Sequence, residues 1–158
     1  MSTELRKEFL AYLIHPDSCE IFYTYMKSEG LSHILEFYLA CDGLQNLQDN
    51  QINPKAIIRL IYKHYLSSGK DLCSSKIFSL PDYLLRSIEQ RLNKHDYHSH
   101  FYDQAQEYVL KYMLQMCYPK FLIEQKNHLE TRQSSNEPSV FTSMHRYRLS
   151  HHKKIHLK

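Results

Sequence analysis

The chain has 158 residues, 20 Lys+Arg against 17 Asp+Glu for a net charge of +3, and only three glycines and five prolines. A single domain of this size buries roughly two-thirds of its unfolded surface, enough for a core without metal or disulfide staples. So few glycines and prolines exclude a sheet-and-turn architecture. No run reaches the ~18 consecutive apolar residues that cross a bilayer, since even Lys55 to Leu66 is interrupted by Arg59, Lys63 and His64.

Cys19, Cys41, Cys73 and Cys117 are widely separated and form no Cys-x-x-Cys pair, so they read as buried or half-buried thiols of a cytoplasmic protein. In chain order, Leu5, Phe9, Tyr12 and Leu13 recur at helical spacing. His15-Pro16-Asp17 ends that helix and supplies Asp17 as a cap for the next. The second helix is expected from about Ser18 to Glu29, with Ile21, Phe22, Tyr25 and Met26 inward and Gly30 as the C′ residue. In the third, Ser32, His33, Glu36, Ala40 and Gly43 form a narrow polar stripe, and Ile34, Leu35, Phe37, Tyr38, Leu39 and Cys41 cover most of the remainder. So broad an apolar face marks a helix packed on several sides.

Asn53-Pro54 is an N-cap followed by proline at the first helical position, and the helix continues through Ile57, Ile61 and Tyr65 to Ser67-Ser68-Gly69. Ser79-Leu80-Pro81-Asp82 opens another, carrying Leu84, Leu85, Ile88 and Leu92. It exits into a polar stretch that places His95, His98 and His100 on a flexible surface loop. Tyr102, Ala105, Val109, Tyr112, Met113 and Met116 then define a long helix, expected to break at Cys117-Tyr118-Pro119 before a short last one beginning with Phe121 and Leu122. Tyr108, Tyr112 and Tyr118 sit at helical spacing and read as core and boundary packing.

Periodicity stops near Glu130. Residues 131–158 hold Arg132, Arg146, Arg148, Lys153, Lys154 and Lys158 against the lone acid Glu137, so the basic excess belongs to this segment. The expected organisation is a domain over residues 3–130 and a flexible basic tail over 131–158 that makes at most weak membrane contact and binds no nucleic acid specifically. His145, His151, His152 and His156 cluster in that tail without a nearby cysteine, which argues against a zinc site. No Gly-rich phosphate loop, Gly-x-Ser-x-Gly or His-Glu-x-x-His is present, so no cofactor, metal or catalytic constellation is expected.

Four landmarks appear in one order over residues 17 to 125: Leu35-Glu36-Phe37-Tyr38-Leu39-Ala40-Cys41-Asp42, Ile61-Tyr62-Lys63-His64-Tyr65, Tyr102-Asp103-Gln104-Ala105-Gln106 and Tyr118-Pro119-Lys120-Phe121-Leu122. Together they resemble the regulator-of-G-protein-signalling (RGS) family, whose versions are Leu-Glu-Phe-Trp-Leu-Ala-Cys-Glu, Ile-Tyr-x-x-Tyr/Phe, Phe-Asp-x-Ala-Gln and Tyr-Pro-Arg-Phe-Leu. The resemblance implies an all-α bundle of about eight to nine short helices. Members that accelerate GTP hydrolysis on Gα subunits carry Glu-Asn where this chain has His33-Ile34. Their loop Asn falls at Ser79 or Leu80, an Asp of the family's eighth helix at Met116, and an Arg at Lys120, where only the charge is kept. Such members act by holding the switch loops of Gα in the transition-state arrangement, so these degenerate positions imply that the domain is not a GTPase activator.

Within the family the Cys41-Asp42-Gly43 run and Pro81 resemble the axin branch. That resemblance implies a monomeric, non-enzymatic scaffold domain that binds helical repeat peptides of an adenomatous-polyposis-coli-type protein in the β-catenin destruction complex of Wnt signalling. A divergent activator of a Gα subunit is the alternative. Partner contacts are expected at the edge of the third and fourth helices, at Asp42, Gln45, Lys55 and Arg59.

Overall fold

A computed structural model describes residues 3–47, 53–70, 72 and 77–134, and every described regular element is helical. The helices are α1 (Thr3–Ile14), α2 (Pro16–Ser28), α3 (Ser32–Gln45), α4 (Pro54–Ile61), α5 (Asp82–Asn93), α6 (Asp103–Tyr112) and α7 (Tyr118–Ser134). A π-helical turn, Tyr62–Leu66, extends α4, and another, Met113–Cys117, joins α6 to α7. Because these turns continue helices rather than end them, the described residues form six helices, fewer than the eight to nine expected. The basic segment beyond Ser134, like Cys73, lies outside the described residues.

The local signals explain most of the helix ends. Asn53 Oδ1 accepts the Lys55 amide at 3.0 Å, and Pro54 opens α4 where a missing N–H costs nothing. Gly30, at φ 71°, closes α2: its own N–H reaches Lys27 O and the Leu31 N–H reaches Met26 O, the paired bonds of a Schellman stop. The same pair ends α5, with His95 in the left-handed position at φ 57° and bonds from His95 to Leu92 and from Asp96 to Arg91. Asp17 does not cap α2. The helix already starts at Pro16 with His15 as its N-cap residue, which leaves Asp17 inside the first turn, where its charge faces the helix dipole.

The break expected at Pro119 is absent. The Tyr118 N–H reaches back five residues to Met113 O, and this wider turn gives the proline ring room where an α-turn would bring it against a carbonyl. The same turn resets the register: Cys117 falls in line with buried Met113, while Met116, read as part of the apolar stripe, is 50% exposed.

The described residues fall into two units that divide between Phe121 and Leu122. In the first, Phe9, Phe22, Tyr118 and Phe121 interlock, with Phe9 4.5 Å from Tyr118 and Phe22 edge-on to Phe121 at 5.2 Å. Each such ring pair adds about 0.5–1.5 kcal/mol beyond its buried area. A second cluster sets Phe37 edge-on to Tyr65 and Tyr102. Of the tyrosine stripe, Tyr118 is buried and Tyr112 is half-buried against Phe78 at 4.5 Å, while Tyr108 is exposed. At the surface, Arg6 donates to both carboxylate oxygens of Glu107 at 2.9 and 2.7 Å, clamping α1 to α6.

In the second unit the described part of α7 carries exposed Leu122, Ile123 and Leu129, with Glu124–His128 and Lys126–Glu130 pairs one turn apart. Such pairs contribute only a few tenths of a kcal/mol each.

Candidate functional site

The Tyr-Asp-x-Ala-Gln run ties α3 and α4, the helices that carry Asp42, Gln45, Lys55 and Arg59, to the start of α6. Tyr102, almost fully buried, donates its hydroxyl to Ile58 O of α4 at 2.7 Å. Ala105 is buried, and Gln106 is the one buried polar side chain among the described residues. The Gln106 amide donates to Tyr38 O at 3.3 Å and its carbonyl oxygen accepts from Gln45 Nε2 at 2.7 Å. Gln45 Nε2 also donates to Asp103 Oδ1 at 2.7 Å. Gln45 is therefore occupied in joining α3 to α6, whereas Asp42, a turn earlier, is exposed.

Lys55 and Arg59 leave α4 on its outer face and meet at Tyr97, in the connection between α5 and α6. Lys55 Nζ is 5.6 Å and the Arg59 guanidinium carbon 5.7 Å from the centre of that ring, and Arg59 Nε donates to Tyr97 Oη at 3.2 Å. The connection is tied down rather than loose, contrary to the expectation for its histidines. Arg91 donates to Phe101 O at 2.6 Å and to His98 Nε2 at 2.6 Å, pairs with Asp96 at 3.4 Å, and lies over the Phe101 ring at 4.4 Å. His100 Nδ1 sits 3.1 Å from Asp103 Oδ2. The structure thus joins Lys55 to Arg59 and Gln45 to Asp103 and Gln106. Tyr97 was missed in the sequence because its role depends on a helix some forty residues earlier.

The positions matching Gα contacts fall differently. Ile34 is fully buried in the core at 0% exposure, so it presents nothing to a partner. His33 is half-buried, and Ser79, Met116 and Lys120 are exposed. Lys120 and Glu29 both act electrostatically on Cys117, which places the end of α2 and the start of α7 at the same end of the unit. Burial pushes the Cys117 thiol up to about 11 and the Cys41 thiol well above its ordinary value, so neither supplies a thiolate at neutral pH. Among the described residues no group of three His, Cys, Asp or Glu converges as metal ligands, and no helix is long and apolar enough to cross a membrane.

The chain is 27% identical to Axin-1 of Mus musculus over 128 residues, 78% of this chain and 14% of that protein. It is 27% identical to Axin-1 of Danio rerio over 129 residues, 80% of this chain and 15% of the relative. The Axin-related protein of Xenopus laevis is 23% identical over 106 residues, 67% of this chain and 14% of that protein. The chain therefore spans about one-seventh of the length of these curated relatives. The pattern of the regulator of G protein signaling domain matches residues 8–129, from α1 to the later turns of α7. With all four landmark segments on the helices that build the core, the chain belongs to the regulator of G protein signaling domain family, as an axin-like member.

Proposed function

We propose that this chain is a non-enzymatic interaction domain that captures a helical repeat of an adenomatous-polyposis-coli-type protein and contributes to the assembly that marks β-catenin for destruction. The observation that carries this reading is Ile34, at 0% exposure in the position where GTPase-activating members have a partner-facing amide. A buried aliphatic side chain neither donates nor accepts a hydrogen bond at a Gα switch. The exposed face of α4, by contrast, offers two cations beside the half-buried ring of Tyr97, components of a helix-in-groove interface.

Calorimetric titration with polyposis-type repeat peptides tests the proposal, with a Kd below ~100 µM expected, equivalent to about −5.5 kcal/mol. Absence of heat and of pull-down at that concentration overturns it. A divergent Gα regulator is the second reading, favoured by exposed Lys120 at the family's arginine position. It requires faster single-turnover GTP hydrolysis by at least one Gα class, and a flat result across the classes removes it.

A further inference from the structure

Lys55 and Arg59 stand one helical turn apart, roughly 5–6 Å between Cβ atoms, and both heads are drawn to the same half-buried ring. Tyr97 is itself fixed. Its Oη donates to Leu92 O at 3.4 Å while accepting from Arg59, His95 Nδ1 stands 3.3 Å away, and buried Phe101 stacks on the ring at 6.4 Å. Among the described residues neither cation has an ion-pair partner. The acids of the flanking described elements are engaged elsewhere: Glu89 accepts from Tyr62 Oη at 3.2 Å, and Asp96 pairs with Arg91.

Two like charges held against one ring repel each other, and a cation over an exposed ring gains only about 0.5–1 kcal/mol. No acid among the described residues neutralises this pair, so an added acid meets two cations already held side by side. Two carboxylates at i and i+4 on a helix carry the matching spacing. We propose that Tyr97 is the organising residue of an acid-recognition site, in which Lys55 and Arg59 receive two carboxylates one turn apart on a helical segment of a partner protein. The proposal rests on the reading of α4 as a partner-docking face and adds the chemical class of the partner and the residue that presets the cations. Fixing both heads before the encounter limits the side-chain entropy lost on binding, and the charge match makes association faster and salt-sensitive.

The test uses the full chain and four probes: an alanine-rich helical peptide with two glutamates four residues apart, the same peptide with glutamines, a polyposis-type repeat peptide, and phosphatidylserine vesicles. Fluorescence anisotropy gives affinity at low and physiological salt, and amide chemical shifts locate the contact. The glutamate peptide is expected to bind at least tenfold more tightly than its glutamine twin and to shift α4 and the Lys94–Phe101 connection. K55Q/R59Q, a change confined to exposed side chains, should abolish that difference. Y97F, which keeps the ring but frees Arg59, should lose affinity by a factor of about three with an unchanged melting temperature. Y97A should lose tenfold, judged against its own melting curve.

Equal binding of the two model peptides overturns the proposal, as does glutamate binding that survives K55Q/R59Q, or a K55Q/R59Q-sensitive contact made with vesicles but not with the peptide. If the glutamate peptide binds through these residues and the repeat peptide does not, the acid site stands and the polyposis assignment falls. If the repeat peptide binds K55Q/R59Q as well as the native chain, the assignment stands and the acid site falls.

Discussion

Replacing Gln45 with alanine separates packing from recognition on the candidate face. Gln45 Nε2 makes two bonds of 2.7 Å, to Asp103 Oδ1 and to Gln106 Oε1. The first is charge-assisted but exposed, and the second closes on a buried amide, so each lies near the lower end of its range and the pair contributes about 1.5 kcal/mol. For a unit of this size that corresponds to a fall in melting temperature of roughly 5 °C. Once the variant is held well below its transition, its affinity for a repeat peptide should be within about twofold of native, because the removed amide pointed into the bundle. Arg59→Ala should behave in the opposite way, with an unchanged transition and weaker binding. Thermal denaturation by circular dichroism, run beside peptide titrations, gives both quantities. A double cycle of Gln45→Ala with Gln106→Ala should return a coupling of about 0.5–1.5 kcal/mol. If Gln45→Ala melts within 1 °C of native yet loses tenfold in affinity, the inward role assigned to this side chain is wrong.

Three further outcomes follow from particular contacts. Ile34→Asn, the substitution that restores the family's amide, places that amide in a fully buried site and should cost about 3–5 kcal/mol; a cooperative urea transition at the native midpoint would contradict this. Tyr102→Phe, which restores the family's residue, removes the 2.7 Å bond to Ile58 O and should cost about 1 kcal/mol, measured as a lower urea midpoint at unchanged slope. Arg6 holds the Glu107 carboxyl below its ordinary value. A carboxylate whose value is depressed on folding stabilises at pH above its unfolded value, near 4.3, and loses that contribution as pH falls through the folded one. Glu107→Gln should therefore be less stable than native by about 0.5–1 kcal/mol at pH 7, the screened range for a partly exposed pair, with the gap narrowing as the carboxylate is protonated in acid. A gap that stays constant on acidification would show that the bridge does not titrate as described.

Local rules made the helix stop at Gly30 and the helix start at Asn53 readable from the chain, because each needs only its own backbone and a neighbour within one turn. The apolar spacing of Phe9, Phe22, Phe37, Ile61 and Val109 was equally readable, and all are buried, whereas in α4 the fully buried position is Ile58 beside the expected, half-buried Ile57. Proline chemistry misled at Pro119, since the π-turn that accommodates it depends on the backbone bond from Tyr118 to Met113. The shift it causes turned Met116 from an expected core residue into an exposed one.

The candidate face divides along the same line. That Lys55 and Arg59 share one side of α4 is a matter of helical periodicity and is written in the sequence. That both converge on Tyr97, and that Gln45 turns away toward Asp103 and Gln106, is not, because these contacts join residues tens of positions apart. The sequence by itself determined the helical class and the family landmarks, both properties of residue type at fixed spacing. Only the tertiary structure decided which polar residues are consumed in holding helices together and which cations have no ion-pair partner among the described residues, since that depends on where the folded chain brings distant side chains within hydrogen-bonding reach.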